Sequence, residues 1–365
     1  MADFKDEISP QLIGALADEL VRAWPEFPAA AFAGAAGEGL EGLELMARVH
    51  HVAAVLGRHL PGDFAAAAGV LDAALASPSF TSWMTLPCGF FATEYGSEQP
   101  ELALPLLARL SPRFSSEGPV RPFIERYPDL TMGFVREWAR DADDRVRRLA
   151  SETTRTRLPW APRLELFIRD PSPVIELLDV LRDDPSEYVR RSVANSLNDI
   201  SKDHPELAVA TARRWQDAGG DHVQDVVRHG LRTLVKKGDP DALAVLGYER
   251  SAPVRLQELV VTPPQVAIGG GVELSFTLVA EGRPTPVVVD YLVYHAGARG
   301  ARAARAAKVF KLTTRTLEPG KPQRIRRRHV FREVTVRRLY PGVQRIEVQV
   351  NGRVLGGADV ELVEP

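Results

Sequence analysis

The stretch from Asp183 to Pro205 reads DDPSEYVRRSVANSLNDISKDHP and predicts one helix of a helical-repeat protein. Apolar residues recur at helical spacing and form the stripe that such a helix packs on its neighbours. They are Val189, Val193, Leu197 and Ile200. Arg191, Asn195 and Asp199 recur every four residues off this stripe, so they line up on one side. This polar side is either a solvated helix face or a surface that binds phosphate beside a fixed negative charge.

Two further segments repeat the local pattern of this helix. The letters DDRVRRLA at 143–150 place Val146 43 residues before Val189. The letters DHVQDVVRHGLRTL at 221–234 place Val227 38 residues after Val189. Intervals near forty residues are typical of HEAT-like helical pairs. The middle of the chain is therefore predicted to be an α-solenoid whose arginines recur at equivalent positions, where they can follow a phosphate backbone.

The apolar pattern divides the chain into residues 1–250 and 251–365. Helical spacing, interrupted by Pro and Gly, predicts a mainly α first part. Its predicted helices include Ile8–Trp24, Leu40–Leu60, Phe64–Ala76 and Leu102–Leu110. After residue 250, short β-rich runs separated by turn residues predict a β-sandwich. These runs are Val272–Ala280, Val287–His295, Lys308–Leu317, Gln323–Phe331 and Gln344–Gly352.

Charge is distributed unevenly along the 365 residues, although the net charge is only −2. Residues 1–135 contain 8 Lys and Arg against 17 Asp and Glu, whereas residues 252–365 contain 18 against 10. A basic C-terminal part on a nearly neutral protein indicates a polyanionic partner that is bound locally, with solubility as the alternative explanation.

Cysteine content and hydropathy bear on the compartment. The chain has one cysteine, Cys88, so an intrachain disulfide is impossible and a reducing compartment is expected. The first residues show no signal-peptide pattern, and no apolar run is long enough to span a membrane. We therefore expect a cytoplasmic protein without a membrane anchor. The histidines are scattered, so no metal site and no cofactor are predicted.

Three strings in the helical part match a known family. They are SSEGPVRPFIERYP (Ser115–Pro128), VRRLASETTRTRLPWAPRL (Val146–Leu164) and VRRSVANSLNDISKDHPE (Val189–Glu206). With these strings the chain resembles the AlkC branch of the AlkC/AlkD DNA glycosylases, which are HEAT-repeat enzymes of alkylation repair. Gly118 stands where an aromatic residue is expected, and Thr154 and Thr156 stand where Gly and Pro are expected. No carboxylate and no tryptophan of the pattern is replaced.

The resemblance implies a HEAT-like solenoid over residues 1–250 that binds DNA and carries catalysis. It implies an immunoglobulin-like domain over residues 251–365 that contacts DNA. The implied activity is bacterial base excision repair: a monofunctional glycosylase hydrolyses the N-glycosidic bond of 3-methylcytosine or 3-methyladenine in duplex DNA, without base flipping. A base alkylated on a ring nitrogen is cationic and leaves as a neutral molecule. Such an enzyme therefore needs anions beside the sugar, and needs neither a metal nor an acid. We expect a monomer.

Three carboxylates are candidates for those anions. Glu117, Glu152 and Asp199 are separated by 35 and 47 residues, so spacing near one repeat would bring them together on the concave face. By resemblance, Asp199 and Glu117 stabilise the oxocarbenium ion and position water, and Glu152 belongs to the same cluster. Trp160 is expected to pack against the damaged nucleotide. Taken singly, Glu152 could instead pair with Arg148, and Trp160 could be a core residue.

Basic and amide side chains provide candidates for DNA backbone contacts. Those in the solenoid are Arg147, Arg148, Arg155, Arg157, Arg191 and Asn195. Arg326 and Arg328 lie two residues apart on one predicted strand, so they point to the same face.

Two other functions fit parts of the sequence. A HEAT-repeat protein without catalysis could bind damaged or branched DNA, although the presence of all three carboxylates and Trp160 argues against this alternative. A protein-binding solenoid would leave the recurring arginines and the basic sandwich unexplained. Salt-sensitive DNA binding separates this last alternative from the other two.

Overall fold

A computed structural model describes residues 4–297, 307–332 and 338–364. The chain forms two compact units. The first comprises Met1–Asp203 and Trp215–Gly230, and the second comprises His204–Arg214 and Leu231–Pro365. Within the described ranges the first unit is helical and all strands belong to the second unit. The predicted order, an α-solenoid followed by a β-sandwich, is confirmed, and the first strand begins at Val254.

Sixteen α-helices occur in the described residues. Eight of them precede Ala139, with short 3-10 turns between some of them: α1 (Pro10–Ala23), α2 (Ala29–Gly37), α3 (Leu45–His59), α4 (Phe64–Ala74), α5 (Thr85–Tyr95), α6 (Pro100–Leu110), α7 (Glu117–Arg126) and α8 (Pro128–Trp138). The other eight are α9 (Asp144–Thr153), α10 (Glu165–Arg169), α11 (Ser172–Leu181), α12 (Glu187–Ile200), α13 (Pro205–Ala218), α14 (Val223–Gly230), α15 (Arg232–Lys237) and α16 (Pro240–Val245).

The stretch Asp183–Pro205, which the sequence predicts to be one helix, contains α12, and α12 is shorter than that prediction. Its apolar stripe is buried: Val189, Val193 and Leu197 are 0% exposed. Pro185 cannot occupy a helix interior, and the carboxylate of Asp184 accepts a hydrogen bond from the backbone N–H of Ser186 (2.9 Å). The helix therefore begins at Glu187 and ends at Ile200.

The other predicted helices form with changed ends. The largest change is in Leu40–Leu60, where a 3-10 turn (Leu40–Gly42) precedes α3. Leu43 and Glu44 are extended between them. The buried guanidinium of Arg48 donates a hydrogen bond to the carbonyl of Leu43 (2.8 Å) and so stabilises this extended segment. The spacing of apolar residues in the sequence did not indicate this interruption of the helix.

In the described residues of the second unit, eight strands make two sheets. Their bounds are β1 (Val254–Thr262), β2 (Gln265–Ala267), β3 (Gly271–Ala280), β4 (Thr285–Tyr294), β5 (Lys308–Leu317), β6 (Gln323–Val330), β7 (Gly342–Val350) and β8 (Arg353–Val363). One sheet has the order β1-β3-β6 and the other the order β2-β8-β7-β4-β5. All pairs are antiparallel except β2 with β8. Phe276 and Val289, one from each sheet, share the core between them.

Each of the five predicted β-rich runs is a strand, but three strands were missed. In β1 the register shifts between Gln257 and Val260, and Glu258 has a positive φ of 53°, so the period-2 alternation is broken. Gly356 and Gly357 interrupt β8 in a way that resembles a turn. Strand β2 has only three residues and depends on parallel pairing with β8.

Candidate active site

Three helices that pack in order carry the three predicted carboxylates. Helix α7 packs on α9, and α9 packs on α12. Glu117 is the first residue of α7, whereas Glu152 and Asp199 are the last residues but one of α9 and α12. Their exposed fractions are 9%, 5% and 2%. Residues far apart in sequence thus become a group of buried anions, which is a costly arrangement unless cations and hydrogen bonds compensate the charge.

Glu117 is held by one cation and one hydroxyl. Its Oε1 accepts a hydrogen bond from Nη1 of Arg148 (2.9 Å), and its Oε2 accepts one from Oγ of Ser115 (2.7 Å). Its place at the start of α7 also puts the negative charge at the positive end of the helix dipole. Although burial lowers the pKa of Arg148, the nearby carboxylates of Glu117 and Glu152 raise it overall, so this guanidinium stays charged.

Arg155 links the other two carboxylates. Its Nη1 lies 2.5 Å from Oε1 of Glu152, and its Nε and Nη2 lie 2.9 and 2.8 Å from Oδ2 of Asp199. Ser192 Oγ donates to the second oxygen of Glu152 (2.6 Å). Burial lowers the pKa of Arg155, but the two carboxylates outweigh burial and raise it. The side chain is therefore a buried ionic bridge.

Asp199 lies deepest of the three carboxylates. Its other oxygen, Oδ1, accepts a hydrogen bond from Nζ of Lys202 (2.8 Å), one turn later on the chain. Both oxygens are thus paired with cations, Arg155 on one side and Lys202 on the other. This arrangement fixes the carboxylate within the row of helices.

Arg121, which sequence reasoning missed, holds the segment that carries Trp160. Its guanidinium is 3% exposed and donates to three carbonyls, those of Thr153 (2.9 Å), Arg155 (2.7 Å) and Pro162 (2.5 Å). Burial lowers its pKa to about 10, which still leaves the side chain cationic near neutral pH. The only sequence signal for it was its place inside the Ser115–Pro128 string.

Trp160 is not a core residue. Its side chain is 68% exposed, and its backbone has a positive φ of 61°, an uncommon conformation for a large side chain. Phe4 lies edge-on to it, with 5.8 Å between ring centroids. Trp83 follows Ser82, which also has a positive φ (62°), and its ring lies 6.3 Å from Phe4. Exposed aromatic rings of this kind provide surfaces on which nucleobases stack.

A cavity of about 380 Å³ is lined by Trp83 and Trp160 and by two of the three carboxylates. Glu117, Glu152 and Arg148 line its polar side, whereas Asp199 does not line it. Its remaining lining is largely apolar and includes Met46, Trp83, Leu86, Phe90, Phe114, Leu158 and Trp160. The site therefore combines fixed anions with aromatic surfaces, which suits a cationic aromatic ligand.

The predicted backbone-binding arginines of the solenoid have carboxylate partners. Arg147 makes a two-point contact with Asp184 (2.7 and 2.9 Å), and Arg157 makes one with Asp203 (2.7 and 3.2 Å). These paired guanidinium groups remain partly exposed. Arg155 departs most from the expectation, because it is 8% exposed and fully engaged with the site carboxylates. We correct its role from a phosphate ligand to a holder of the carboxylates.

Arg191 of α12 lies at a groove between α12 and α14, and Asn195 of α12 contacts a residue of α14. Arg191 is exposed and pairs with Glu187 one turn earlier (2.9 Å). Asn195 Oδ1 lies 3.1 Å from Nε2 of His229 on α14. His229 was not predicted, and its only signal was the fainter third copy of the repeat. Arg191 and His229 line this groove together with the carboxylates of Glu187 and Asp225, so its charge is mixed.

The sandwich unit carries its own basic surface on β6, which is an edge strand of the three-stranded sheet. Arg324, Arg326 and Arg328 occupy every second position of β6, and all three are exposed. Ile325 and His329, which point the other way, are buried. The predicted shared face of Arg326 and Arg328 is thus extended by Arg324.

Other candidate groups are structural. Burial raises the pKa of the Cys88 thiol, whose Sγ donates to the carbonyl of Met84, so this cysteine is an inert core residue. Among the described residues no group of three or more His, Cys, Asp or Glu side chains is arranged to hold a metal ion. No helix in the described part of the chain is long and apolar enough to cross a bilayer.

The fold and the site together define a helical-repeat protein with buried carboxylates beside an aromatic cavity, followed by a β-sandwich. Residues 255–364 match the family model described as the C-terminal immunoglobulin-like domain of the uncharacterised protein YhaZ. The chain is 33% identical to the uncharacterised protein YhaZ of Bacillus subtilis, over 99% of this chain and all of that protein. It is also similar to the solved Pseudomonas fluorescens alkylpurine DNA glycosylase AlkC, bound to DNA containing an abasic site analogue. That match has 35% identity, a TM-score of 0.92, and coverage of 99% of this chain and all of AlkC.

The chain therefore belongs to the AlkC branch of the AlkC/AlkD family of HEAT-repeat DNA glycosylases, which function in the repair of alkylated DNA. The predicted immunoglobulin-like character of the C-terminal sandwich is confirmed.

Proposed function

We propose that this chain is a DNA repair glycosylase that excises cationic N-alkylated bases, 3-methylcytosine and 3-methyladenine, from duplex DNA. The observation that carries the proposal is the set of buried carboxylates Glu117, Glu152 and Asp199 on three helices that pack in order, two of which, Glu117 and Glu152, line an aromatic cavity. The similarity to AlkC, described as an alkylpurine DNA glycosylase, supports the same class of substrate.

The proposed reaction is hydrolysis of the N-glycosidic bond. As the cationic base leaves it becomes neutral, and positive charge develops on the deoxyribose. Fixed anions stabilise that charge most effectively when little water surrounds them. We assign Glu117 and Asp199 to stabilising the oxocarbenium ion and positioning the attacking water, and Glu152 to the same cluster. Of these, Glu117 and Glu152 line the cavity, whereas Asp199 does not line it and is linked to Glu152 through Arg155.

Trp160 is assigned to packing against the damaged nucleotide. Its exposure and its neighbour Phe4 support this role, because an exposed indole beside the carboxylates can cover the sugar without enclosing the base. The enzyme would then act without flipping the base into a deep pocket. We propose a monofunctional hydrolase that needs no cofactor and acts as a cytoplasmic monomer.

DNA backbone contacts complete the proposal. We assign Arg147, Arg148, Arg157, Arg191 and Asn195 of the helical part to the phosphates. For the paired guanidinium groups, a phosphate would add to or replace a carboxylate partner. Residues 1–250 would thus bind DNA and carry out the chemistry, while residues 251–365 would contact DNA through Arg326 and Arg328.

The test measures base release from a duplex that carries a single 3-methylcytosine. The native protein is expected to leave an abasic site. Asp199→Asn and Glu117→Gln are expected to bind the same duplex but to react about 100-fold more slowly or worse, as is typical when one electrostatic group of an active site is removed. Glu98→Gln is the control, because Glu98 is an exposed carboxylate paired with Arg126.

Two results would contradict the proposal. If the native protein binds DNA but releases neither 3-methylcytosine nor 3-methyladenine, the chain is a DNA-binding protein without glycosylase chemistry. If Asp199→Asn and Glu117→Gln react as fast as Glu98→Gln, the reaction does not depend on these carboxylates.

A further inference from the structure

Gly118, the second residue of α7, lines the cavity next to Glu117. Gly118 lies in the first turn of α7, outside the helix interior where glycine is most destabilising relative to alanine, so helix propensity does not explain its presence. Gly118 is not among the glycines with a positive φ. A Cβ atom added to it would meet only Phe90 Cζ within 4 Å, at 3.6 Å, which is an ordinary contact. Neither the backbone conformation nor local packing therefore requires glycine at position 118. The effect of having no side chain there is to leave open space in the cavity.

Side chains from α3 and α5 also line the cavity that Gly118 lines. They include Met46, His50 and Phe90. The imidazole of His50 lies 4.5 Å from the ring of Phe90, and its Nδ1 lies 2.8 Å from Oε1 of Glu94. Both rings are thus held in place by neighbours. A ligand in the cavity could contact these aromatic and aliphatic side chains, because no side chain at position 118 occupies the space beside them.

The position of this space relative to Glu117 determines what could enter it. If Glu117 acts on the anomeric carbon of the sugar, the base bonded to that carbon lies beside the carboxylate. The alkyl group on the base is then only a few bonds away, next to Gly118. The apolar side chains of Met46 and Phe90 favour burial of that alkyl group, and an aromatic ring such as that of Phe90 can attract a cationic ring.

We infer that Gly118, with Met46, His50 and Phe90, forms a subsite for N-alkyl groups larger than methyl. The substrates of this chain then include cationic bases that carry longer alkyl chains. Gly118 is a specificity-determining residue, because its missing side chain sets the size of group that the cavity admits. This inference rests on the proposed glycosylase function and adds a substrate class to it.

The experiment compares single-turnover release of 3-methylcytosine and 3-butylcytosine from otherwise identical duplexes. The native protein is expected to release both bases. Gly118→Phe is expected to lower the ratio of butyl to methyl release about ten-fold or more, because the new ring fills the subsite. Gly118→Leu, with a smaller side chain, is expected to lower it less. Gly133→Phe is the matched control, because Gly133 lies in α8 away from the cavity, and a Cβ there meets nothing within 4 Å.

The two substrates separate failure of this inference from failure of the proposed function. If the native protein releases 3-methylcytosine but not 3-butylcytosine, the subsite is refuted while the glycosylase function stands. If it releases neither, the proposed function fails and the subsite with it. If Gly118→Phe and Gly118→Leu lower the release of both bases equally, position 118 does not select by size. Methyl release by each variant also shows whether that variant has folded.

Discussion

At the scale of single residues, Arg155 determines how the buried carboxylates are held. It pairs with both Glu152 and Asp199 and is not exposed to solvent as a phosphate-binding arginine would be. Removing one partner of a buried ionic group leaves the other charges uncompensated, which costs more than the pair contributed. Glu152 and Asp199 would both lose a cation within 2.9 Å if Arg155 were replaced by a neutral side chain. The site carboxylates thus depend on this arginine for their stability as well as for their position.

We predict that Arg155→Met destabilises the protein by about 3–5 kcal/mol, the typical cost of breaking a buried ion pair. Urea unfolding followed by circular dichroism measures the change. The control is Arg191→Met, which removes an exposed pair with Glu187 and should change stability by less than about 1 kcal/mol. Equal effects of the two substitutions would mean that Arg155 is not a buried bridge in solution.

At the scale of secondary-structure elements, β4 carries an unusual buried acid. The strand lies between β7 and β5, and Asp290 lies at a register shift in its pairing with β5. The side chain is 4% exposed. Burial raises the pKa of Asp290 to about 6, although Lys311 and Lys236 act in the opposite direction. At neutral pH Asp290 is therefore mostly ionised, and its burial makes the folded state less stable than it would be with the group protonated.

The raised pKa of Asp290 predicts a pH-dependent stability. A carboxyl group whose folded-state pKa exceeds its ordinary value of 3.8 contributes stability below about pH 4, and this contribution is lost as the pH rises through about 6. Asp290→Asn should therefore stabilise the protein at pH 8, by up to about 3 kcal/mol, and have little effect near pH 4. Thermal unfolding across this pH range measures the difference. Asp359→Asn, an exposed carboxylate paired with Arg345, should show no such trend.

At the scale of the whole molecule, charge separates into an acidic beginning and a basic end, which the net charge of −2 conceals. The exposed arginines Arg324, Arg326 and Arg328 of β6 belong to this basic end. Side chains two residues apart on a strand point to one face at regular spacing, so they can contact successive phosphates of one DNA strand.

We predict that replacing Arg326 and Arg328 together by Ser lowers the salt dependence of DNA binding. Each lost phosphate contact reduces the slope of log K against log salt by about one unit, so the double variant should lose about two. Fluorescence anisotropy at several salt concentrations measures the slope. Arg315→Ser, which removes an exposed arginine of β5 in the other sheet, is the control. An unchanged slope in the double variant would exclude this face of β6 from the DNA interface.

The sequence by itself determined the class of fold and predicted the kinds of residue in the candidate site. Helical spacing at Val189, Val193 and Leu197 identified the buried stripe, because a helix must bury one face. The recurrence near forty residues identified the repeat. Period-2 alternation identified the longer strands, but failed where the bulge in β1 and the glycines of β8 interrupt it.

Only the tertiary structure decided which charges meet. Sequence spacing placed Glu117, Glu152 and Asp199 about one repeat apart. It did not show that Arg148 and Arg155 would bind these carboxylates. The reason is physical: local periodicity fixes the face on which a residue lies, whereas an ion pair depends on how neighbouring helices pack and on what burial excludes from water. For the same reason the sequence left Trp160 open between core and surface, and the fold exposes it.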